Sequence, residues 1–322
     1  MIELIMVIVI LGIVASIGSQ VIVQIYESYI VQRAVHNASL KTELAVTQLA
    51  NRLLYRIDAS VVARVPDNTG FNVPVDIVPL RNIQQAQANT HTALEWIGYD
   101  NDGFSTQGSA AQGNLPAWSG FVDLNNANSN FNQITSTGSD LNAENTILSN
   151  LFPGMQNPAI IFSTNNYRTN VGFGVPYAAN CLHATDGTGC IFPVNIIANN
   201  ILTFTGGGDR VAGTMIYAEF YKLAGSAYAV VPVQTPVNGN DIQVTGQTIN
   251  GTAVWDLRFF YDYQPWESEN YLTNAQNRST LLTKVSVFRF TQETNSVRVK
   301  LCTIETIGTQ DISICKEKAV IR

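Results

Sequence analysis

The sequence from Leu4 to Val23 reads LIMVIVILGIVASIGSQVIV and contains no charged residue. The nearest charges are those of Glu3 and Glu27. In a helix, about 20 apolar residues span the hydrocarbon core of a membrane, which is about 30 Å thick. The run is longer than the apolar part of a cleaved secretory signal, and no small-residue cleavage site follows it. We therefore predict a membrane-spanning helix over residues 1–25.

The helical pattern continues beyond the apolar run. Apolar side chains recur three or four positions apart, at Val46, Leu49, Leu53, Leu54, Ile57 and Val61. Pro66 and the turn sequence DNTG at residues 67–70 then end the pattern. The sequence predicts one nearly continuous helix over residues 2–64, roughly 90 Å long at the usual rise per residue. Its second part, residues 26–65, is expected to be an amphipathic continuation that packs through one face.

The composition argues against several functional classes. Hydrophobic residues make up 46% of the 322 residues and charged residues 13%, so the chain can bury a sizeable core. The net charge is −6 with 18 Lys and Arg, which disfavours a nucleic-acid surface because phosphate binding needs clustered cations. Only three histidines are present, and no catalytic constellation has a spacing beyond chance. We expect a non-enzymatic protein with no cofactor and no nucleic-acid partner.

After residue 66 the pattern changes to short β-type runs separated by turn residues. Residues 70–150 are rich in Asn, Gln and Gly, which predicts long loops with one short helix near residues 86–96. The predicted fold is α+β: the long helix packs on an antiparallel sheet with large loop insertions, and residues 66–322 form a β-rich globular body. Candidate strands lie at residues 160–163, 201–205, 214–223, 227–233, 254–263, 281–290, 297–304 and 312–321.

Residues 1–13, MIELIMVIVILGI, resemble the N-terminal motif of type IV pilins and type II secretion pseudopilins. In that family a short basic leader ending in Gly or Ala precedes a Phe-Thr/Ser-Leu/Met-Ile-Glu-Leu run. A dedicated prepilin peptidase removes the leader and methylates the new N-terminus, so we expect a leader upstream of Met1. Gln20 departs from the pattern, because many pilins have a helix-breaking Pro near this position. The C-terminal segment, residues 281–322, is similar in style to the J-type minor pseudopilins and the W-type minor pilins.

The resemblance implies that the N-terminal helix carries assembly. The family's glutamate is thought to neutralise the N-terminal amine of a neighbouring subunit, a role that falls here on Glu3. Leu4, Ile5 and Gly12 would belong to the same assembly surface. The implied partners are other pilin or pseudopilin subunits, the prepilin peptidase and an inner-membrane assembly platform.

The resemblance also implies a location and a role for the whole chain. The protein would be a structural subunit with a single membrane pass, its N-terminus cytoplasmic and its body periplasmic. It would then enter a secretion pseudopilus or a type IV pilus, at or near the tip because the body is bulky. The alternative is a pilus-borne adhesin or substrate-recognition module whose loops at residues 70–150 and 164–200 hold a ligand. A membrane-tethered enzyme is a third, weaker reading.

Four cysteines allow three disulfide pairings. If Gly308 and Thr309 form a two-residue hairpin turn, Cys302 lies directly opposite Cys315, and the pair is predicted to be bonded. The same register places the bridge on the more polar face of the strand, as a clasp rather than a core element. Residues Cys181 and Cys190 would then form a second disulfide, and a zinc site of Cys181, His183 and Cys190 is the rival. Two disulfides would indicate an oxidising compartment.

Each of two further motifs has two interpretations, a binding or contact site and an ordinary structural element. Asp100 and Asp102, in the sequence DNDG, resemble the start of a calcium loop that is compressed and lacks the distal glutamate. A turn rich in Asp and Gly is the alternative. Residues 261–271, YDYQPWESENY, predict either an exposed aromatic contact surface or an irregular hairpin.

Overall fold

The chain forms three layers: a long helix, a nine-stranded antiparallel sheet and a five-stranded antiparallel sheet. One apolar core lies between the helix and the larger sheet, and another lies between the two sheets. The predicted α+β class, with a helix on an antiparallel sheet, is confirmed. The structure is a computed structural model that describes residues 2–66, 77–108, 110, 113–154, 157–162, 191–205, 218–233, 247–249, 251–267, 269–271, 277–307 and 310–321.

The helices and strands follow one another from residue 2 to residue 321. The helices are α1 Ile2–Leu54, α2 Asn101–Ser105 and α3 Leu141–Leu151. The strands are β1 Val62–Arg64, β2 Ile77–Pro79, β3 Ala93–Gly98, β4 Gln133–Thr135, β5 Ala159–Phe162, β6 Phe192–Ala198, β7 Ile201–Phe204, β8 Tyr221–Ala224, β9 Ser226–Val233, β10 Gln247–Ile249, β11 Thr252–Tyr263, β12 Arg278–Glu293, β13 Ser296–Ile307 and β14 Gln310–Ile321.

The larger sheet runs in the order β14-β13-β12-β11-β9-β3-β1-β2, with β10 paired to β11. Helix α1 crosses one face of this sheet and contacts β12, β13 and β14. The smaller sheet, in the order β4-β7-β6-β5-β8, covers the opposite face together with α3. Strands β3 and β9 lie in the middle and contribute to both cores, because successive side chains of a strand point to opposite faces.

Helix α1 has two unlike halves. Every residue from 2 to 30 is exposed, and most of the side chains there are apolar. The buried positions begin at residue 38 and recur every three or four residues, which places them on one face of the helix. These buried residues are Ala38, Thr42, Ala45, Val46, Leu49 and Leu53. The C-terminal part of α1 therefore packs on the sheet while the N-terminal part extends away from it.

The prediction of a helix over residues 2–64 is wrong at its C-terminal end. Helix α1 ends at Leu54, a 3-10 turn follows at Asp58–Ser60, and β1 then enters the sheet. The amide of Ile57 donates to the carbonyl oxygen of Ile97 at 2.8 Å, and the amide of Tyr99 donates to the carbonyl of Tyr55 at 2.9 Å. The backbone here thus pairs with the end of β3 rather than with the preceding helical turn. The apolar residues Ile57 and Val61 are buried, but not on a helix.

The prediction of a short helix near residues 86–96 is also wrong. A 3-10 turn at Gln87–Asn89 is followed by strand β3, all six residues of which are buried. Leu94 and Trp96 face the core beneath α1, whereas Ala93 and Ile97 face the core between the sheets. A strand buried on both faces shows no polar alternation, so periodicity does not distinguish it from a helix. Residues 70–150 also contain helix α3, which was not predicted.

The C-terminal strands agree well with the sequence-based expectation. The candidate strands from residue 227 onward correspond to β9, β11, β12, β13 and β14, most of them extended by a few residues. Those at 160–163 and 201–205 correspond to β5 and β7. The candidate at 214–223 begins outside the described residues, and β8 occupies its end. Short amphipathic runs bounded by turn residues therefore predicted most of the sheet.

Candidate functional site

The four residues expected to carry assembly lie within the exposed half of α1. Glu3 is in the first helical turn, and the side chains of Leu4 and Ile5 are 68% and 61% exposed. A Cβ atom added at Gly12 would meet nothing within 4 Å. The structure thus places these residues on one continuous apolar helix surface that no other described part of the chain covers.

An apolar helix of this kind needs an apolar environment. Its most hydrophobic 18-residue window has a mean hydropathy of 2.5 and is 0% buried, and the helix is long enough to cross a membrane. Each fully exposed Leu, Ile or Val side chain forgoes about 1.5–3 kcal/mol of burial free energy in water. The exposed half of α1 is therefore a candidate membrane anchor, and lipid or other apolar helices would both satisfy it.

The packed half of α1 is attached to the sheet by polar contacts as well as by apolar ones. The Thr42 hydroxyl donates to the carbonyl oxygen of Ala38 at 2.8 Å. Its oxygen lies 3.0 Å from the Thr303 hydroxyl on β13, which must therefore be the donor in that contact. Both threonines are buried. The pair fixes the position of the helix along β13.

A second attachment joins α1 to the edge strand β14. The Lys318 ammonium lies 2.8 Å from Glu43 Oε1 and donates to the Thr47 hydroxyl at 2.7 Å. Lys316 approaches the other carboxylate oxygen of Glu43 at 3.9 Å. The hydrogen bond from Lys318 lowers the pKa of Glu43. Because these groups are partly exposed, salt screens the attraction and its contribution to stability is small.

Arg56 closes the end of α1 against the C-terminal hairpin. Its guanidinium is fully buried and donates to the carbonyl oxygens of Leu53 at 2.9 Å and Asn295 at 2.6 Å. A longer contact of 3.4 Å reaches the carbonyl of Val320, and Asp58 pairs with Nε at 3.2 Å. A planar group with five donors can join a helix end, a turn and an edge strand at once.

The predicted Cys302–Cys315 disulfide is present. The register of β13 and β14 also matches the prediction, with Cys302 opposite Cys315 and Ile304 opposite Ser313. Thr303 points to the helix, and successive side chains of a strand point to opposite faces. The bridge at Cys302 therefore lies on the face of β13 away from α1. Cys302 itself is only 2% exposed, so the bond is more deeply set than a surface clasp, although Cys315 is exposed. The turn at Gly308 and Thr309 lies outside the described residues.

The other cysteine predictions cannot be compared with the structure. The Cys181–Cys190 disulfide and the rival zinc site of Cys181, His183 and Cys190 all lie outside the described residues. Within the described ranges, no group of three or more His, Cys, Asp or Glu side chains is arranged to hold a metal ion.

The calcium candidate at Asp100 and Asp102 has the geometry of a helix start. The Asp100 carboxylate accepts a hydrogen bond from the Gly103 amide at 2.9 Å and caps the short helix α2. Asp102 is exposed in the first turn of the same helix. This arrangement agrees with the alternative of a turn rich in Asp and Gly.

Glu144 on α3 lies beside Asp100 and forms a pair that the sequence did not predict. Glu144 is fully buried, and neither of its oxygens meets an N–H or O–H donor among the described residues. Burial, and then the charge of Asp100, raises the pKa of Glu144 to about 10. Its carboxyl is therefore protonated at neutral pH and hydrogen-bonds to Asp100 through that proton. The pair joins α2 to α3.

The aromatic segment at residues 261–271 is mostly core. Tyr263 and Tyr271 are fully buried and Trp266 is 7% exposed. The Tyr263 hydroxyl donates to Glu95 at 2.7 Å, and Glu95 pairs with the buried Arg64 at 2.9 Å. Tyr261 instead lines an open cleft beside α1, with a volume of about 720 Å³. Its walls come from distant parts of the sequence, so no local motif could have predicted it.

No model of a protein family, no curated protein and no solved structure matches this chain.

Proposed function

We propose that the protein is a pilin-like structural subunit, a minor pilin or pseudopilin, that polymerises through its N-terminal helix. One observation carries the proposal: a single unbroken helix is apolar and exposed over residues 2–30 and then packs on a sheet from residue 38. A simple membrane anchor needs no rigid continuation into the body. A subunit whose helix must lie among other helices while its body remains oriented does need one.

The apolar half of α1 suits two successive environments. In the membrane its side chains face lipid, and in a filament they face the same segment of neighbouring subunits. Glu3 is the exception, because a carboxylate is costly in either environment unless it is paired. A neighbouring N-terminal amine would supply the opposite charge in a low-dielectric bundle, where such a pair attracts strongly.

The location that we propose follows from the same elements. The helix spans the bacterial inner membrane with its N-terminus cytoplasmic, and the body is periplasmic before the subunit enters a pseudopilus or a pilus. The Cys302–Cys315 disulfide supports an oxidising compartment for the body. The prepilin peptidase and the assembly platform are the expected partners before polymerisation. A body of this size favours a position at or near the filament tip.

The test is charge reversal at Glu3. In cells that assemble the filament, the Glu3→Lys variant should insert into the membrane normally but should fail to enter the filament, because two cations then face each other. Glu27→Lys is the matched control, since Glu27 is an exposed glutamate on the same helix, and it should be incorporated. Membrane fractionation and purified filaments supply the two measurements. Normal incorporation of Glu3→Lys would refute the proposed role.

A ligand-binding module remains the second candidate. It is favoured by the open cleft beside α1, and it is compatible with a filament subunit that presents its body at a tip. We expect no enzymatic activity in either case.

A further inference from the structure

The cleft beside α1 has a floor of stacked aromatic rings. The rings of Tyr228 and Phe259 are 5.7 Å apart at 11°, and those of Phe259 and Tyr261 are 5.9 Å apart at 25°. All three side chains are half-buried. Trp96, which is fully buried, packs beside Tyr228 on the same face of the sheet and also contacts Phe259. Near-parallel rings at these distances overlap face over face with an offset. The three rings thus form a stepped aromatic strip that is held in place before any ligand arrives.

An irregularity of β11 directs a carboxylate toward this strip. Tyr261 and Asp262 both lie opposite Tyr228 of β9, since the pairing passes from Phe260 to Tyr263 with a shift in register. Asp262 adopts a φ of 56°, which is uncommon outside glycine and more tolerable for Asp than for most residues. The bulge interrupts the strand's alternation, so Asp262 lines the cleft together with Tyr261 instead of facing the other core. Strained bulges of this kind are concentrated at functional sites.

The helix wall of the cleft supplies hydrogen-bond donors. The Arg52 guanidinium lies 5.8 Å from the ring centroids of both Tyr228 and Phe259. Apart from these ring contacts, it makes no hydrogen bond or ion pair with the described part of the chain. Asn51 and Gln48 stand beside it on the exposed face of α1. Five guanidinium donors and two side-chain amides therefore border the strip on this side.

Two carboxylates of the lining supply acceptors. Asp102, at the start of α2, and Asp262 both line the cleft. Because one guanidinium and two carboxylates border the strip together, a ligand with a strong charge of either sign would meet repulsion. Four apolar side chains also belong to the lining: Leu49, Leu151, Phe152 and Leu281. The lining fits a neutral ligand with one apolar face and hydroxyl groups around its edge.

We propose that this cleft binds a neutral oligosaccharide. A sugar ring presents C–H groups on one face, which stack on aromatic rings, and hydroxyls at its rim that both donate and accept hydrogen bonds. The strip of Tyr228, Phe259 and Tyr261 receives the ring faces, Arg52 and Asn51 donate, and Asp102 and Asp262 accept. A volume of about 720 Å³ lies within the usual range of ligand sites and leaves room for a short chain of sugars. The proposal does not rest on filament assembly, because the cleft lies beside the packed half of α1, away from its exposed apolar half.

The experiment uses the full chain in lipid nanodiscs, since detergents with sugar headgroups would compete for the cleft. Maltotriose, cellotriose, chitotriose and galactobiose are titrated by calorimetry, and a library of neutral peptides is screened alongside. We expect saturable binding of at least one of these saccharides. Tyr261→Ala should weaken that binding by about tenfold or more, which corresponds to about 1.4 kcal/mol. Asp262→Asn should also weaken it, and Asn tolerates the positive φ.

The control is Phe121→Ala, because Phe121 is a partly exposed aromatic residue that lies outside the cleft lining and packs edge-to-face against Phe220. Its saccharide affinity should remain within about twofold of the wild-type value, which is about 0.4 kcal/mol. Thermal unfolding shows whether each variant is folded, and Asp262→Asn keeps the test decisive if Tyr261→Ala does not fold. Three results would overturn the proposal: no saturable saccharide binding, binding that both cleft variants leave unchanged, or a peptide that occupies the cleft in place of any sugar.

Discussion

Arg56 donates a hydrogen bond of 2.6 Å to the carbonyl oxygen of Asn295, a residue 239 positions away in the sequence. The contact joins the end of α1 to the turn between β12 and β13. Because the guanidinium also binds the carbonyl oxygen of Leu53 near the end of the helix, the same side chain ends α1 and secures it to the hairpin. One buried cation therefore helps to fix the orientation of the helix relative to the sheet, together with the Thr42–Thr303 contact and the buried face of α1.

Replacement of Arg56 by Ala should destabilise the body strongly. The buried carbonyl oxygen of Leu53 would lose a charged donor, as would the carbonyl of Asn295 in a partly buried contact, and we expect a loss of about 3 kcal/mol in the free energy of unfolding. Urea unfolding followed by tryptophan fluorescence measures it. Arg298→Ala, at an exposed arginine of β13, is the control and should change the free energy by less than about 0.5 kcal/mol. Equal effects of the two substitutions would contradict the assignment.

The two buried threonines should respond unequally to loss of their hydroxyl groups. Thr42→Val leaves the Thr303 hydroxyl without its acceptor, so it should cost about 1–3 kcal/mol. Thr303→Val should cost less, because the Thr42 hydroxyl keeps the Ala38 carbonyl as its acceptor. The double substitution should cost less than the sum of the two single ones. A thermodynamic cycle from chemical unfolding tests this, and strict additivity would show that the hydroxyls are not coupled.

Removal of the Cys302–Cys315 disulfide should loosen the C-terminal hairpin without unfolding the body. The disulfide joins cysteines that are 13 positions apart in the sequence. Replacement of both by Ser removes this constraint on the unfolded chain, which should lower the free energy of unfolding by about 3 kcal/mol through loop-closure entropy. The core beneath α1 is on the other face of β13 and remains. Limited proteolysis should cleave the variant faster near the C-terminus, with unchanged circular dichroism. Peptide mass spectrometry of the non-reduced wild-type protein should recover Cys302 linked to Cys315, and a link from Cys302 to another cysteine would contradict the register.

Glu144 should make the stability depend on pH. Its pKa is raised from 4.5 to about 10 in the folded protein, so the folded state binds a proton that the unfolded state releases above about pH 4.5. Stability from this group is therefore present at low pH and declines between about pH 4.5 and 10, by up to about 1.4 kcal/mol per pH unit.

The Glu144→Gln substitution isolates this contribution. The neutral amide can still donate to Asp100 but cannot ionise on unfolding, so the loss of stability between about pH 5 and 8 should be smaller than in the wild type. Asp102→Asn, at an exposed carboxylate of the adjacent helix, should leave the pH profile unchanged. Chemical unfolding at several pH values measures both. A variant that follows the wild-type profile would show that Glu144 is ionised in the folded protein.

The part of the fold that depends on local pattern was predictable. An uncharged run from Leu4 to Val23 specifies a helix in any apolar environment, because its backbone groups must bond within the segment. The C-terminal strands alternate in polarity, and a two-residue turn expected at Gly308 and Thr309 gave the predicted register, so Cys302 and Cys315 could be paired by arithmetic. The burial of one face of α1 was predicted as well, at Val46, Leu49 and Leu53.

What required the tertiary structure depends on contacts between distant segments. The sequence pattern continued to residue 64, but α1 ends at Leu54, because Arg56 and the backbone of Ile57 find better partners in the hairpin and in β3. Strand β3 is buried on both faces, so its sequence lacks the alternation of polar and apolar residues that would identify a strand. The pairing of Asp100 with Glu144, and the cleft formed by Arg52, Tyr228 and Phe259, join residues that are up to about two hundred positions apart. Such sites arise only when the sheet brings its strands together, since propensity and periodicity act over a few residues whereas burial acts on the whole fold.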